Sequence, residues 1–169
     1  EKNNVTPKLA DKIYDQILQF GGYGFNKSHT VAYGMLSFQT AYLKKFYPAQ
    51  FFAALLGTEI NNKDKITSYI QEAKQFGISI LPPDVNQSLW LFNVIVDTIR
   101  FGLGAVKGVG ESAVEEIVRE RTENGAFKGF VDFCERINLK AVNKRVLEAL
   151  IKVGAFDSCE KFNRKTLLD

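Results

Sequence analysis

Leu103-Gly104-Ala105-Val106-Lys107-Gly108-Val109-Gly110-Glu111-Ser112-Ala113-Val114-Glu115-Glu116-Ile117 decides the fold of this chain. Two glycines bracket one apolar residue immediately before an amphipathic run, so the stretch reads as two helices joined by a tight hairpin. Gly108 and Gly110 carry no Cβ and can take left-handed backbone angles, which lets the N–H groups of the turn approach a phosphate closely. Val109 is expected to turn inward and pin the loop. The helix opening at Glu111 presents unpaired N–H groups and the positive end of its dipole to the same oxygen, and Lys107 adds a cation. Ala113 leaves room for the helices to cross, and Ile117 continues the buried face. A contact of this kind touches no base edge, so it supplies position and affinity without sequence preference. The alternative is an ordinary αα-turn with a glycine stop, and the first helix, between Gly104 and Lys107, is barely one turn.

A second glycine-ended stretch, Leu150-Ile151-Lys152-Val153-Gly154-Ala155-Phe156-Asp157, lies 46 residues from Gly108 to Gly154 and reads as a degenerate partner of the first. Lys144, Arg145 and Lys152 accompany it. They either reach a nucleic-acid backbone or form a solvated basic face. Together the two stretches suggest a tandem helix-hairpin-helix arrangement with Lys107, Gly108, Val109, Gly110, Glu111, Lys144, Arg145, Lys152 and Gly154 as the DNA-binding candidates.

Outward from the hairpin the chain is mainly α. Thr6-Pro7 opens a helix with a hydroxyl cap and proline at the first helical position, Leu9, Ile13, Ile17 and Phe20 share one face, and Gly21-Gly22 ends it. Ser28 can cap a longer helix whose apolar residues, from Ala32 to Phe46, cover more than one face, as expected of a helix mostly buried in an intact protein. A short helix follows from Ala49 to Leu56 and a fourth from Lys63 to Phe76, which Gly77 terminates. Pro82-Pro83 then enforces extended backbone, and the domain boundary is placed here, giving residues 1–76 and 77–169. Phe92–Val96 and Ile99–Phe101, flanking Asp97-Thr98, read as a β-hairpin. Helices resume at Glu111–Thr122, Phe130–Ile137, Asn143–Val153 and from Asn163 onward.

Composition narrows the function. The longest apolar runs, such as Phe51-Phe52-Ala53-Ala54-Leu55-Leu56, fall far short of the roughly 20 residues that span a bilayer, so the expected compartment is the cytoplasm and no membrane partner is expected. Cys134 and Cys159 form no CxxC pair and His29 is the only histidine, so no zinc site or disulfide framework is expected. Before residue 83 there are 9 lysines against 6 acids and after it 13 basic against 13 acidic residues, so bulk charge does not announce DNA and any contact in the second half must come from local geometry. The chain opens at Glu1 and stops at Asp169 inside a helical pattern, which reads as an excised fragment.

Asn26-Lys27-Ser28-His29 precedes a helix, with Tyr33 one turn beyond His29 on the same face. A cation, an imidazole, amide and hydroxyl groups and helix N–H groups converging there make a candidate polyphosphate site. The alternative is a plain Ser28 cap with Lys27 and His29 solvated.

Tyr23-Gly24-Phe25-Asn26-Lys27-Ser28-His29, Ala32-Tyr33, Gln39-Thr40-Ala41-Tyr42-Leu43-Lys44 and Tyr47-Pro48-Ala49-Gln50-Phe51 together resemble the fingers domain of the bacterial DNA polymerase III alpha subunits, the C-family replicative polymerases. Leu81-Pro82-Pro83-Asp84-Val85-Asn86, Arg100-Phe101-Gly102-Leu103-Gly104, Lys107-Gly108-Val109-Gly110 and Asn143-Lys144-Arg145-Val146-Leu147-Glu148-Ala149-Leu150 extend the resemblance into that family's tandem helix-hairpin-helix domain. The resemblance implies that Asn26, Lys27, Ser28, His29 and Tyr33 face the incoming dNTP. It also implies that the partners are primer-template duplex and, through parts of the parent chain, other replisome subunits. The Mg²⁺-holding palm carboxylates lie upstream in the family, so no catalytic residue, metal ligand or cofactor is expected here, and the fragment is expected to be inactive alone. Two other readings are a helix-hairpin-helix module of a repair or recombination protein, which leaves the Asn26–His29 helix without a role, and a structural helical domain that binds only protein.

Overall fold

A computed structural model describes residues 5–23 and 27–168. By contacts the chain divides into two compact units, Glu1–Tyr42 and Leu43–Asp169. The first unit holds helix α1 (Pro7–Tyr23) and most of α2 (Lys27–Phe46), whose last turn belongs to the second. The amides of Leu9 and Ala10 both donate to Thr6 O at 3.0 Å, so α1 starts where the Thr-Pro pair predicts. It runs on through Gly21-Gly22, because glycine lowers helix stability without blocking the i to i−4 bond. α2 opens one residue ahead of the expected Ser28 cap. The predicted apolar face of α1 stays uncovered in this chain, with Ile17 and Phe20 61% and 65% exposed.

In the second unit α3 (Pro48–Thr58) carries proline in its first turn, and α4 (Lys63–Gln75) is capped by Asn62, whose Oδ1 accepts from Lys65 N at 3.3 Å. Three short strands follow, β1 (Ile80–Leu81), β2 (Asn93–Ile95) and β3 (Thr98–Arg100), in the order β1-β3-β2. β2 and β3 form the expected antiparallel hairpin, with Val94 opposite Ile99. Ile95 pairs with Thr98, so the two turn residues are Val96-Asp97 rather than Asp97-Thr98, and Val96 sits at φ 57. β1 joins β3 in parallel, a pairing the prolines gave no sign of. The first core packs Phe52, Leu56, Ile66 and Ala73 of α3 and α4 against Ile78, Phe92 and Ile99.

The second core belongs to α5 (Glu111–Asn124), α6 (Phe130–Arg136) and α7 (Lys144–Lys152), followed by the short α8 (Arg164–Leu168). The Pro-Pro segment is a strap between its parts. Asp84 Oδ1 accepts from the amides of Asn86 and Gln87 at 2.7 and 3.1 Å, which folds the strap into a turn. The Asn86 side chain pairs twice with the Phe127 backbone, at 2.9 and 2.7 Å, and Arg121 of α5 donates to Val85 O and Ser88 O at 2.7 and 2.6 Å. Val85 N–H reaches Ala155 O at 2.9 Å, tying the end of α7 to the same segment. Phe101 packs against both cores, its ring 4.8 Å from that of Phe92.

Candidate nucleic-acid interface

The hairpin forms at the predicted place. Its first helix is a single 3-10 turn, Leu103–Ala105. Val109 N–H donates to Val106 O at 3.1 Å, with Gly108 at φ 93 in the third position of the turn, where a type II geometry calls for glycine. Val109 is buried at 7% exposure, Ala113 at 1% and Ile117 at 0%, so all three lie in the apolar core as expected of an inward-turned loop residue and a buried helix face.

Gly110 departs from expectation. It caps α5 in extended backbone, φ −94 and ψ 162, so no left-handed conformation requires glycine there. A Cβ placed on it would meet nothing within 4 Å. α5 has no side-chain cap, and among the described residues the amides of Gly110, Glu111 and Ser112 face no protein acceptor. Glycine is one of the residue types favoured at a helix N-cap, and here it leaves the first-turn amides of α5 uncovered by any side chain.

Lys107 and Gly108 also line one wall of an open cavity of about 360 Å³ whose other wall is α7, with Arg145, Glu148 and Lys152. The point nearest a Cβ on Gly108 is Arg145 Nε, at 3.9 Å. Lys107 of the first stretch and Arg145 and Lys152 of the second therefore line one cavity beside the turn. Lys152 Nζ lies 3.3 Å from Glu148 Oε2, an i,i+4 pair along α7, while among the described residues Lys107 and Arg145 have no carboxylate within ion-pair distance. Lys144 is exposed in the first turn of α7, and Glu111 is exposed in the first turn of α5.

The Gly154 turn is not a second hairpin of this kind. Gly154 has φ 79, but turns rather than a helix follow it until Arg164. Arg164 lies against its Cα, pairs with Asp157 and donates to Lys152 O at 3.3 Å. That guanidinium holds the Asp157 carboxyl below its ordinary range. Gly154 itself is buried, its exposed side taken by a residue of its own chain.

The geometric counterpart of the first hairpin is the connection from α6 to α7. Val142 N–H donates to Asn138 O at 3.0 Å, and Val142, like Val109, is buried. Asn143 caps α7 at φ −76 and ψ 171, nearly the backbone of Gly110, and its own Oδ1 accepts from Val146 N at 3.2 Å. Val109-Gly110-x-x-Ala113-x-x-x-Ile117 and Val142-Asn143-x-x-Val146-x-x-x-Leu150 share one spacing, obscured because asparagine stands in the glycine place. The α6–α7 connection also carries Lys140, exposed and absent from the sequence-derived candidates. Glu116 of α5 holds the connection in place through Asn138 N–H at 3.1 Å, and its bond to Arg119 keeps its carboxyl below the usual glutamate range.

Of the first candidate cluster, Asn26 lies outside the described residues. The backbones of Lys27 and Ser28 form the first turn of α2. His29 and Tyr33 stack at 4.1 Å between ring centroids, on the same face as expected, and Tyr33 is 58% exposed. Among the described residues no group of three or more His, Cys, Asp or Glu side chains is placed to hold a metal ion, and no helix is long and apolar enough to cross a membrane.

Residues 77–167 match the helix-hairpin-helix motif family, and the chain belongs to that family. Its likeness to whole proteins is more particular. It is 49% identical over 158 residues to the DNA polymerase III subunit alpha of Vibrio cholerae, covering 93% of this chain and 14% of that protein. The DNA polymerase III subunit alpha of Neisseria meningitidis is 46% identical over 168 residues, 99% of this chain and 15% of the relative. That of Thermus aquaticus is 48% identical over 158 residues, 94% and 13%. The resemblance seen in the motifs thus extends along almost the whole chain, which spans about one seventh of the length of the curated relatives it matches.

Proposed function

We propose that this chain acts as a segment of a bacterial DNA-directed DNA polymerase, and that residues 77–169 grip the backbone of primer-template duplex without reading its sequence. The observation that carries this reading is Gly110, a helix cap with no side chain over three amides that meet no protein acceptor among the described residues, next along the chain from the turn that lines the Lys107, Arg145 and Lys152 cavity. Gly108 sets the turn, Val109 anchors it, and the first-turn amides of α5, including that of Glu111, meet the phosphate. Lys144 and Lys140 flank the counterpart connection, and Gly154 acts by shaping the end of α7.

Residues 1–76 serve as part of the fingers, with Asn26, Lys27, Ser28, His29 and Tyr33 toward the incoming dNTP. The Mg²⁺ ions and palm carboxylates belong to other parts of the parent protein, as do contacts with other replisome subunits, so the chain alone does not polymerise. The uncovered apolar faces of α1 and α2 support a larger parent, because monomeric proteins rarely expose contiguous apolar patches of that kind. A repair or recombination module would use the same hairpin, but the likeness to polymerase subunits also covers the first unit.

Gly108→Val together with Gly110→Val is expected to weaken duplex binding strongly, with helix content near wild type by circular dichroism. Unchanged binding sinks the backbone-grip reading. For the fingers, Lys27→Ala or His29→Ala in the complete polymerase is expected to raise the apparent KM for nucleotide, and normal kinetics in both variants would refute that role.

A further inference from the structure

The cavity between the hairpin and α7 contains one residue of the wrong sign for its ligand. Glu148 stands one turn from Arg145 and one turn from Lys152 on the same face of α7, and its carboxylate lies 3.3 Å from Lys152 Nζ. Side chains three and four apart on a helix are neighbours, so the carboxylate sits between two of the three cations. The Glu148 and Lys152 side chains are 38% and 61% exposed, so packing does not hold the pair together and a phosphate can compete for the lysine.

We infer that Glu148 limits the affinity of this cavity for the DNA backbone by occupying Lys152. The inference rests on the proposed duplex-binding reading and adds a residue to it. With Glu148 in place Lys152 meets a phosphate only by leaving its carboxylate, so one fewer phosphate is neutralised and fewer of the counterions condensed on the DNA are released. A grip that must slide along duplex gains from such a brake, because a full set of unopposed cations holds one register too long.

The test measures binding of the full chain to a fluorescently labelled 30-base-pair duplex by anisotropy across a salt series, in wild type, Glu148→Gln, Lys152→Gln and the double variant. An exposed ion pair corresponds to at most about a fivefold change in an equilibrium constant. Glu148→Gln is therefore expected to tighten binding about two- to fivefold near 0.1 M salt. The slope of log affinity against log salt is expected to steepen by up to about 0.9, the value of one additional phosphate contact. Both gains are expected to vanish in the Lys152→Gln background. Glu148→Gln binding no tighter than wild type, or a gain that survives Lys152→Gln, would overturn the inference. Lys107→Gln with Arg145→Gln separates the two readings. Weaker binding in that variant with no gain in Glu148→Gln removes only the brake, whereas unchanged binding, or no binding by wild type, removes the duplex-binding reading and the brake with it.

Discussion

Replacing Gly110 by aspartate tests the interface with opposite signs on stability and binding. The residue caps α5 in extended backbone, and a Cβ there meets nothing within 4 Å, so the substitution introduces neither strain nor collision. Aspartate is a better helix cap than glycine by a few tenths of a kcal/mol, and a negative charge at a helix N-terminus adds about 0.3–1 kcal/mol. Glu111, next along the chain, subtracts part of that. The net expectation is a fold as stable as wild type or up to about 1 kcal/mol more stable, a rise of at most about 4 °C in Tm for a chain of this length.

Binding moves the other way. A carboxylate about 4 Å from a phosphate oxygen costs about 1 kcal/mol in a water-like environment and about 4 kcal/mol at an effective dielectric constant near 20. The smaller figure already corresponds to about a fivefold loss of affinity. Thermal denaturation and duplex anisotropy on the same preparation read both quantities, with Gly110→Ser as the uncharged cap for comparison. Aspartate at this position with duplex affinity equal to wild type would refute the placement of a phosphate at these amides. A loss of affinity matched by a loss of stability would refute the separation of the two roles.

Three further outcomes follow from the fold. Val96→Asn should raise stability by about 1 kcal/mol, because a β-branched residue at φ 57 is strained and this one, 85% exposed, gives up no packing; a lower Tm counts against the turn assignment. Gly102→Ala should destabilise by about 2 kcal/mol or more, since its Cβ would meet Leu91 C and Trp90 O at 2.7 Å, backbone atoms that cannot swing aside, and a denaturation midpoint unchanged from wild type would contradict this. Glu116, held below the usual glutamate range by Arg119 and the Asn138 amide, contributes stability that is present above its unfolded-state pKa of about 4.3 and is lost as pH falls through the lower folded value. Denaturant midpoints measured from about pH 6 down to about pH 3 should therefore fall more steeply in wild type than in Glu116→Gln, and parallel curves would exclude this contribution.

What the sequence made legible was local. The spacing of Gly108, Val109, Gly110, Ala113 and Ile117 states both a turn and a buried face, and Pro48 and Asn143 each mark a helix start through their own chemistry. What it concealed was either non-local or chemically disguised. Nothing near Ile80-Leu81 announces a parallel partner in Ile99-Arg100, because parallel pairing leaves no turn between the strands to recognise. Asn143 caps as Gly110 does but looks like an ordinary N-cap, so its residue type does not mark the α6–α7 connection as the hairpin's counterpart. Gly154 looks like a hairpin glycine by its neighbours, and only the arrival of Arg164 from the following helix shows otherwise. The cavity joins Lys107 to Arg145 and Lys152 through the packing of α7 beside the turn, which no local pattern encodes.

Phe101 lies against both apolar cores, its amide donating to Leu81 O at 3.0 Å and its carbonyl accepting from Ser88 Oγ at 2.8 Å. A residue fixed in this way makes the sheet and the hairpin helices partners in a single melting event. Amide hydrogens in β3 and in the middle of α5 should then exchange with solvent through one shared opening.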